Sequence, residues 1–374
     1  MELRRRPARV IVAHNPVGPG DDPSTSDVLA QVELVEAALA ELGIPAARLA
    51  IAGWRVWEDL APLAAEPGTM VFNLVEAPPG MPAVHPATAG VLELLGLPFS
   101  GSSASSLWLT TDKLTTRAVL AAAWLPVAAG GRLDRDDARV LERVAPPWIL
   151  KPAFEDASLG LDGDAVCRTR DEALAKAADL LSRFPGQPLV VERYLSGREL
   201  NVSLLAGPEA STGGATTAIA LPVAEIEFVD FPPGMPRIVG YEAKWQPDSF
   251  AYTHTVRRFP ADRASARLLA KVQRLALAAW RACGLAGYGR VDFRLDERGA
   301  PHVLEVNANP CLSADAGFMA AAERAGLPPA AVIARIVAAA LERHDSQAPS
   351  VRPAAQLHPV PEIKTIKPRL RAVG

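Results

Sequence analysis

Short apolar runs alternate with stretches of helical spacing through the N-terminal part of the chain. Residues 9–13 read as a short buried strand, followed over 16–27 by a loop rich in Gly, Pro, Asp and Ser. Helical spacing then extends over 28–42, with Ser26 or Asp27 as candidate N-cap and Gly43 as the stop. A second apolar run at 70–75, a helical pattern over 88–95 closed by Gly96, and a further strand at 97–100 repeat the unit. Strands alternating with helices predict a parallel, Rossmann-like sheet. No G-x-G-x-x-G follows the first run, so dinucleotide binding there is unsupported.

The rhythm then changes. A helix over 111–123 carries Lys113, and a strand at 148–152 leads into a Gly- and Asp-containing loop over 153–164 and a returning strand at 165–168. Thr169-Arg170-Asp171-Glu172 has capping-box spacing and opens a helix to 184. A strand at 189–195, a turn at Ser196-Gly197 and a strand at 200–205 follow. Residues 228–252 are long, Pro- and Gly-containing and weakly periodic, which predicts a lid or binding loop. Helices are predicted over 263–283 and 330–344, and the Pro-rich basic stretch from 345 onward reads as a disordered tail.

Residues 289–313 concentrate the candidate chemistry. Strands at 290–295 and 302–306, joined by a turn at Asp296-Glu297-Arg298-Gly299, predict a hairpin. Side chains alternate along a strand, so Arg290 and Asp292 share one face, and Glu305 and Asn307 another. If those faces coincide, two carboxylates, an amide oxygen and a guanidinium converge on one spot. Such oxygens suit Mg2+, and an arginine beside them suits charge that develops in phosphoryl or acyl transfer. An antiparallel sheet wetted on one face would show the same alternation. The small, polar, proline-interrupted segment Asn307-Ala308-Asn309-Pro310-Cys311-Leu312-Ser313 favours the site, because loops on a rigid sheet carry function.

Bulk composition narrows the classes. A chain of 374 residues exceeds one ordinary core, so two or three domains are expected. A net charge of −3 gives no hint of nucleic acid or an anionic membrane surface. No apolar run approaches the ~20 residues of a membrane span, and the basic N-terminus lacks a signal-peptide apolar region. Cys167, Cys283 and Cys311 are far apart and odd in number, which fits a reducing cytoplasm and no disulfide framework.

Six segments, in order, carry a family likeness: LELLGLPFSGSS, TTDKLTTR, ILKPAFEDASLG, VVERYLSGREL, YEAKW and GRVDF…LEVNANP. Over residues 71–344 the chain resembles the ATP-grasp carboxylate–amine ligases, nearest the D-alanine:D-alanine ligase branch. The resemblance implies an α/β protein with an N-terminal Rossmann-like domain (1–105), then a two-part ATP-grasp fold. Its central small domain would span 106–195 and its C-terminal domain 196–345, before a tail over 346–374. ATP would lie between two antiparallel sheets. Lys113, Lys151 and Ser158 would meet its phosphates, Glu192, Arg193 and Leu195 would form the hinge at the adenine edge, and Glu199 would accept from the ribose hydroxyls. Asp292, Glu305 and Asn307 would hold two Mg2+ (or Mn2+), Lys244 would swing onto the transferred phosphate, and Arg290 would stabilise an acyl phosphate. The implied partners are a small-molecule carboxylate and amine, with no nucleic acid or membrane, and a homodimer is compatible with the branch.

The chain departs from that branch in the amino-acid positions. The phosphate loop reads Glu155-Asp156-Ala157-Ser158, with one serine lost and an extra acid near phosphate. Trp245 replaces a tyrosine, Cys311 a glycine, and Ala316 the serine that holds the acceptor carboxylate. The glutamate that orients the first D-alanine has no evident counterpart, though Asp22 and Asp27 are nearby. Ligase chemistry on a substrate other than D-alanine is therefore the expectation. A true D-alanine:D-alanine ligase and a non-catalytic ATP-binding regulator are the alternatives.

Overall fold

The computed structural model describes residues 5–18, 23–78, 80–207 and 217–347; Asp22 and residues 348–374 of the tail expected from 345 onward lie outside these, while 345–347 continue helix Pro329–Gln347. Three strands, β1 (Arg9–His14), β2 (Ala46–Ala50) and β3 (Thr69–Leu74), pair in the order β2-β1-β3, all parallel. The helix Pro23–Glu41 covers this sheet, and helix Pro329–Gln347 completes its core: Val10, Phe72, Val32 and Leu39 pack in one cluster with Ile333 and Val337. A parallel sheet needs both faces covered, so the far end of the chain is part of the first layer's core.

Two expectations need correction, and two elements appear that the sequence reading did not contain. The first helix begins at Pro23, so Ser26 and Asp27 lie inside it and are not caps. The strand β2 shows little apolar alternation because it is a mostly exposed edge. Residues 97–100 form no strand; only Phe99 bridges to Val71, while the Ser100 hydroxyl accepts from Asn73 N at 2.8 Å. The helix expected over 111–123 forms as Lys113–Ala122, and an unexpected helix, Ala104–Thr111, precedes it. Asp112 separates them, its carboxylate accepting from Leu114 N and Thr115 N at 2.9 and 3.2 Å, which is N-cap chemistry.

A second sheet contains β4 (Gly130–Leu133), β5 (Trp148–Pro152), β6 (Val166–Cys167) and β7 (Leu189–Arg193) in the antiparallel order β4-β7-β5-β6. Trp148, Leu150, Leu189 and Val191 point to its helix-covered core, so Lys151 and Glu192 point the other way. The helix Arg170–Arg183 on that core has the expected capping box, Thr169 with Glu172. A third antiparallel sheet runs β11-β10-β8-β12-β13, with β9 paired to β8. Its strands are β8 (Glu199–Ala206), β9 (Ala218–Ala220), β10 (Ala224–Phe228), β11 (Thr255–Arg258), β12 (Tyr288–Leu295) and β13 (Pro301–Ala308). Leu200, Val202, Val291, Phe293, Val303 and Val306 form its buried face with Trp280 of helix Ala266–Ala282. Between β10 and β11 the expected lid contains two short helices, Tyr241–Trp245 and Phe250–His254. Among the described residues no single helix is long and apolar enough to cross a membrane.

Candidate active site

The hairpin β12–β13 forms with Asp292 opposite Glu305 and Arg290 opposite Asn307. Strict alternation along β13 would put Val303 and Glu305 on the same face. The register shifts between Asp292 and Phe293, leaving Leu304 as an extra residue. This β-bulge resets the phase, so Val303 and Val306 both enter the core while Glu305 and Asn307 face the same side as Arg290 and Asp292. The two polar faces therefore coincide through an irregularity that a period-two reading does not contain.

Asp292 is the most heavily engaged group. Arg290 donates to it through Nε and Nη2, both at 2.8 Å, a bidentate pair. Asn307 Nδ2 donates at 3.0 Å and Asn201 Nδ2 at 2.8 Å. Asn201 was not singled out from sequence. The signal was there, since in Glu199-Leu200-Asn201-Val202 it shares the face of Glu199 and pairs with Asp292 across β8–β12. Glu305 lies in a ring of cations. Burial pushes its carboxyl up, but Lys113, Lys151, Lys244 and Arg290 together pull it well below the usual carboxylate range. Lys113 Nζ stands 3.4 Å from Glu305 Oε1, and its backbone N–H donates to Ala153 O at 3.1 Å. Burial lowers the Lys244 ammonium, Arg290 adds to this, and Lys244 has no carboxylate within 4 Å among the described residues.

On the opposing sheet Lys151 Nζ lies 2.7 Å from Glu192 Oε2, and Arg117 donates to Glu192 Oε1. Arg193 turns outward to Glu297 at 3.1 Å, while its backbone N–H donates to Ala129 O at 2.7 Å and that of Tyr194 to Pro147 O at 2.7 Å. Leu195 is buried just beyond. The Glu199 carboxylate accepts from Arg294 through Oε2, and Arg294 also caps Arg237 O.

The loop over 153–164 and the lid are clasped together. Ala157 and Ser158 both adopt left-handed backbone, with φ of 55° and 64°. Ser158 Oγ donates to Val239 O at 2.8 Å, Tyr241 N to Leu161 O at 3.1 Å, and Trp245 Nε1 to Ala157 O at 3.1 Å. Ala157, where a serine is lost, joins the clasp through its carbonyl, and the indole of Trp245 supplies the donor. The extra acid is also redistributed. The Glu155 carboxylate is buried, accepting from Gln187 Nε2 at 2.7 Å and Gly80 N at 3.4 Å, and Asp156 is the acid beside Lys113, at 3.2 Å.

The N-terminal sheet meets the hairpin's exit loop. Gly101, at φ 81°, leaves room for Asn309; a Cβ there would lie 2.2 Å from Asn309 Oδ1, which accepts from Ser102 N at 2.9 Å. Asp27 Oδ2 accepts from the Cys311 thiol at 3.0 Å, and Gln31 joins Glu76 Oε1 at 3.0 Å to Leu312 N at 3.1 Å. Glu76 is solvent-accessible on the cleft floor. Although the residue is exposed, the protein around its carboxyl desolvates it and pushes it up, Gln31 opposes, and Asp27 and Asp156 raise it further, to about 7. Neither Asp27 nor Glu76 has an ion-pair partner among the described residues. Ala316 caps helix Gly317–Arg324 without a side-chain bond. No group of three His, Cys, Asp or Glu able to hold a metal occurs among the described residues.

A family model described as D-ala D-ala ligase C-terminus matches residues 118–338. The chain is 32% identical over 255 residues to the D-alanine–D-alanine ligase of Bordetella avium, covering 67% of this chain and 73% of that protein. It is 36% identical over 253 residues to the D-alanine–D-alanine ligase of Bordetella petrii, covering 67% and 70%. The uncharacterized protein y4sG of Sinorhizobium fredii is 31% identical over 270 residues, 71% of this chain and 72% of that one. In fold, the chain is similar to the D-alanine–D-alanine ligase of Bacillus anthracis complexed with ATP, with a TM-score of 0.69 at 17% identity over 91% of this chain and 99% of that one. The chain therefore belongs to the D-alanine–D-alanine ligase family of ATP-grasp ligases, enzymes that form a carbon–nitrogen bond.

Proposed function

We propose that this protein joins a carboxylate to an amine at the expense of ATP, through an acyl phosphate, and that its substrate is an amino acid or peptide other than D-alanine. The observation that carries the first part is the bulged register of β12–β13, with Arg290, Asp292, Glu305 and Asn307 on one face beneath Lys113, Lys151 and Lys244. In this reading Lys113, Lys151 and the Ser158 loop hold the phosphates of ATP. The N–H groups of Arg193 and Tyr194 are already engaged, which supports Leu195, with the Glu192–Arg193 backbone, as the hinge contact to adenine. Glu199 Oε1 faces the ribose. The proposed domains 1–105, 106–195 and 196–345 are supported by the three sheets, each of which falls within one segment, although helices Ala104–Thr111 and Pro329–Gln347 run across two of the boundaries. A cytoplasmic location suits an ATP-consuming enzyme with three free thiols.

The donor set fits Mg2+ or Mn2+. Two carboxylates, Asp292 and Glu305, and the amide oxygen of Asn307 match a hard cation that completes its shell with phosphate oxygens. When bound, the metal would supply Lewis-acid polarisation and a template for the phosphates. The remaining work belongs to the side chains. A substrate carboxylate attacks the γ-phosphoryl group, and Lys244, lacking a carboxylate partner, turns to the charge on that group. The amine then attacks the acyl phosphate, and Arg290, already fixed by Asp292, faces the oxyanion, so little reorganisation is needed. The clasped loops exclude the water that would hydrolyse the acyl phosphate.

The substrate reading rests on Ala316, which has no hydroxyl for an acceptor carboxylate, and on Asp27 and Glu76, two unpaired carboxylates suited to an ammonium. The names of the relatives favour the second reading, D-alanine itself. Mass spectrometry of products from ATP, Mg2+ and pooled L- and D-amino acids tests both. A new amide with ADP and phosphate is expected. ADP without amide would contradict the ligase reading, and D-alanyl-D-alanine as the dominant product would overturn the substrate reading.

A further inference from the structure

The nucleotide side of the cleft holds a three-charge arrangement that the roles above leave unexplained. Glu192 is 2% exposed and sits between two cations on different elements: Arg117 from helix Lys113–Ala122 and Lys151 from β5. Their contacts differ in kind. Arg117 makes a directed hydrogen bond to Oε1, and its Nη2 is anchored on Ala128 O at 2.8 Å. Oε2 is met at 2.7 Å by the Lys151 ammonium, a single charged contact. A guanidinium is a fork held at two points, whereas a lysine is a point charge on a flexible stem. The three side chains line one cavity with Lys113 and Glu305.

We propose that Arg117 is a positioning residue of the nucleotide site: it is the standing counter-ion of Glu192, which frees Lys151 to leave that carboxylate and turn to the phosphates of ATP. This rests on the reading of Lys151 given above. A buried carboxylate stripped of its cations is strongly disfavoured. If Lys151 were the sole partner of Glu192, moving it to phosphate would leave such a charge behind. With Arg117 in place, one carboxylate keeps one cation throughout. Consistent with this, burial alone would raise the Glu192 carboxyl, and Lys151 with Arg117 reverses the direction.

Titration of the folded, full chain with a non-hydrolysable ATP analogue tests the exchange. Arg117→Gln should weaken binding by about tenfold, the loss of one charge-assisted contact, because Lys151 is then held on Glu192. Arg117→Lys should recover most of that loss. The decisive variant is Arg117→Gln with Glu192→Gln, whose paired amides can still hydrogen-bond and whose neutral position 192 no longer holds Lys151. Affinity restored to within about threefold of the parent is expected. Parent-like affinity in Arg117→Gln, or a double variant no tighter than the single, would overturn the proposal. A Lys151→Ala variant with unchanged affinity would instead remove the nucleotide reading on which it rests.

Discussion

At the scale of single residues, the site is a balance of charges in which few groups are interchangeable. Lys151 lies on a strand end away from the core, and its loss removes a cation from the proposed phosphate site without opening the core. Lys151→Ala should weaken ADP binding by about ten- to hundredfold, as for one charge-assisted bond, with an unchanged circular dichroism spectrum. Asp292→Asn and Glu305→Gln should each suppress ADP formation, since neutral amides hold a divalent cation less well than carboxylates. Arg290→Ala should act mainly on kcat, because its charge is needed most in the transition state; steady-state assays separate the two classes. Glu76 supplies a prediction in pH. Its carboxyl is raised to about 7 in the folded protein against an ordinary value of 4.5, so ionising it opposes folding. The sign follows: the penalty is absent below about pH 4.5, grows between 4.5 and 7, and is constant above. Glu76→Gln should therefore raise Tm above pH 7 and leave it unchanged near pH 4.5. A Tm difference independent of pH would contradict the assignment.

At the scale of elements, local chemistry was legible and irregularity was not. The capping box at Thr169–Glu172, the stop at Gly43 and the turn ending in Gly299 all form where residue types dictate. The alternation in β12 gave the face of Arg290 and Asp292 directly. The bulge at Leu304 was invisible, because nothing in Val303-Leu304-Glu305-Val306 distinguishes a phase reset from a wetted face; only core packing of both valines decides it. The helix Ala104–Thr111 was not expected before Asp112, and β2 lacked apolar alternation because it is an edge. The clasp between the phosphate loop and the lid joins residues 88 apart through backbone carbonyls, which side-chain motifs do not announce. It also makes a prediction. Trp245→Phe keeps the ring but removes the N–H to Ala157 O, so the acyl phosphate should meet water more often. The ratio of ADP to amide, measured in one reaction, should rise above the parent's; an unchanged ratio would show that the indole N–H does not hold the lid.

At the scale of the whole molecule, three sheets converge on one cleft, and each contributes a different kind of group. The C-terminal sheet offers carboxylates and Arg290, the central sheet Lys151 and Glu192, and the parallel sheet, whose core is completed by helix Pro329–Gln347, the carboxylates Asp27 and Glu76. The six motifs are spread from residue 92 to 310, which is why family membership could be read from sequence while the contacts between sheets could not. The central claim is that a substrate carboxylate is phosphorylated and then displaced by an amine. Following oxygen tests this most directly. Amino acids labelled with ¹⁸O in the carboxyl group are supplied with ATP and Mg2+, and the released phosphate is weighed by mass spectrometry. One labelled oxygen in each phosphate, together with ADP and an amide, is the predicted result; unlabelled phosphate, or AMP in place of ADP, would contradict the account.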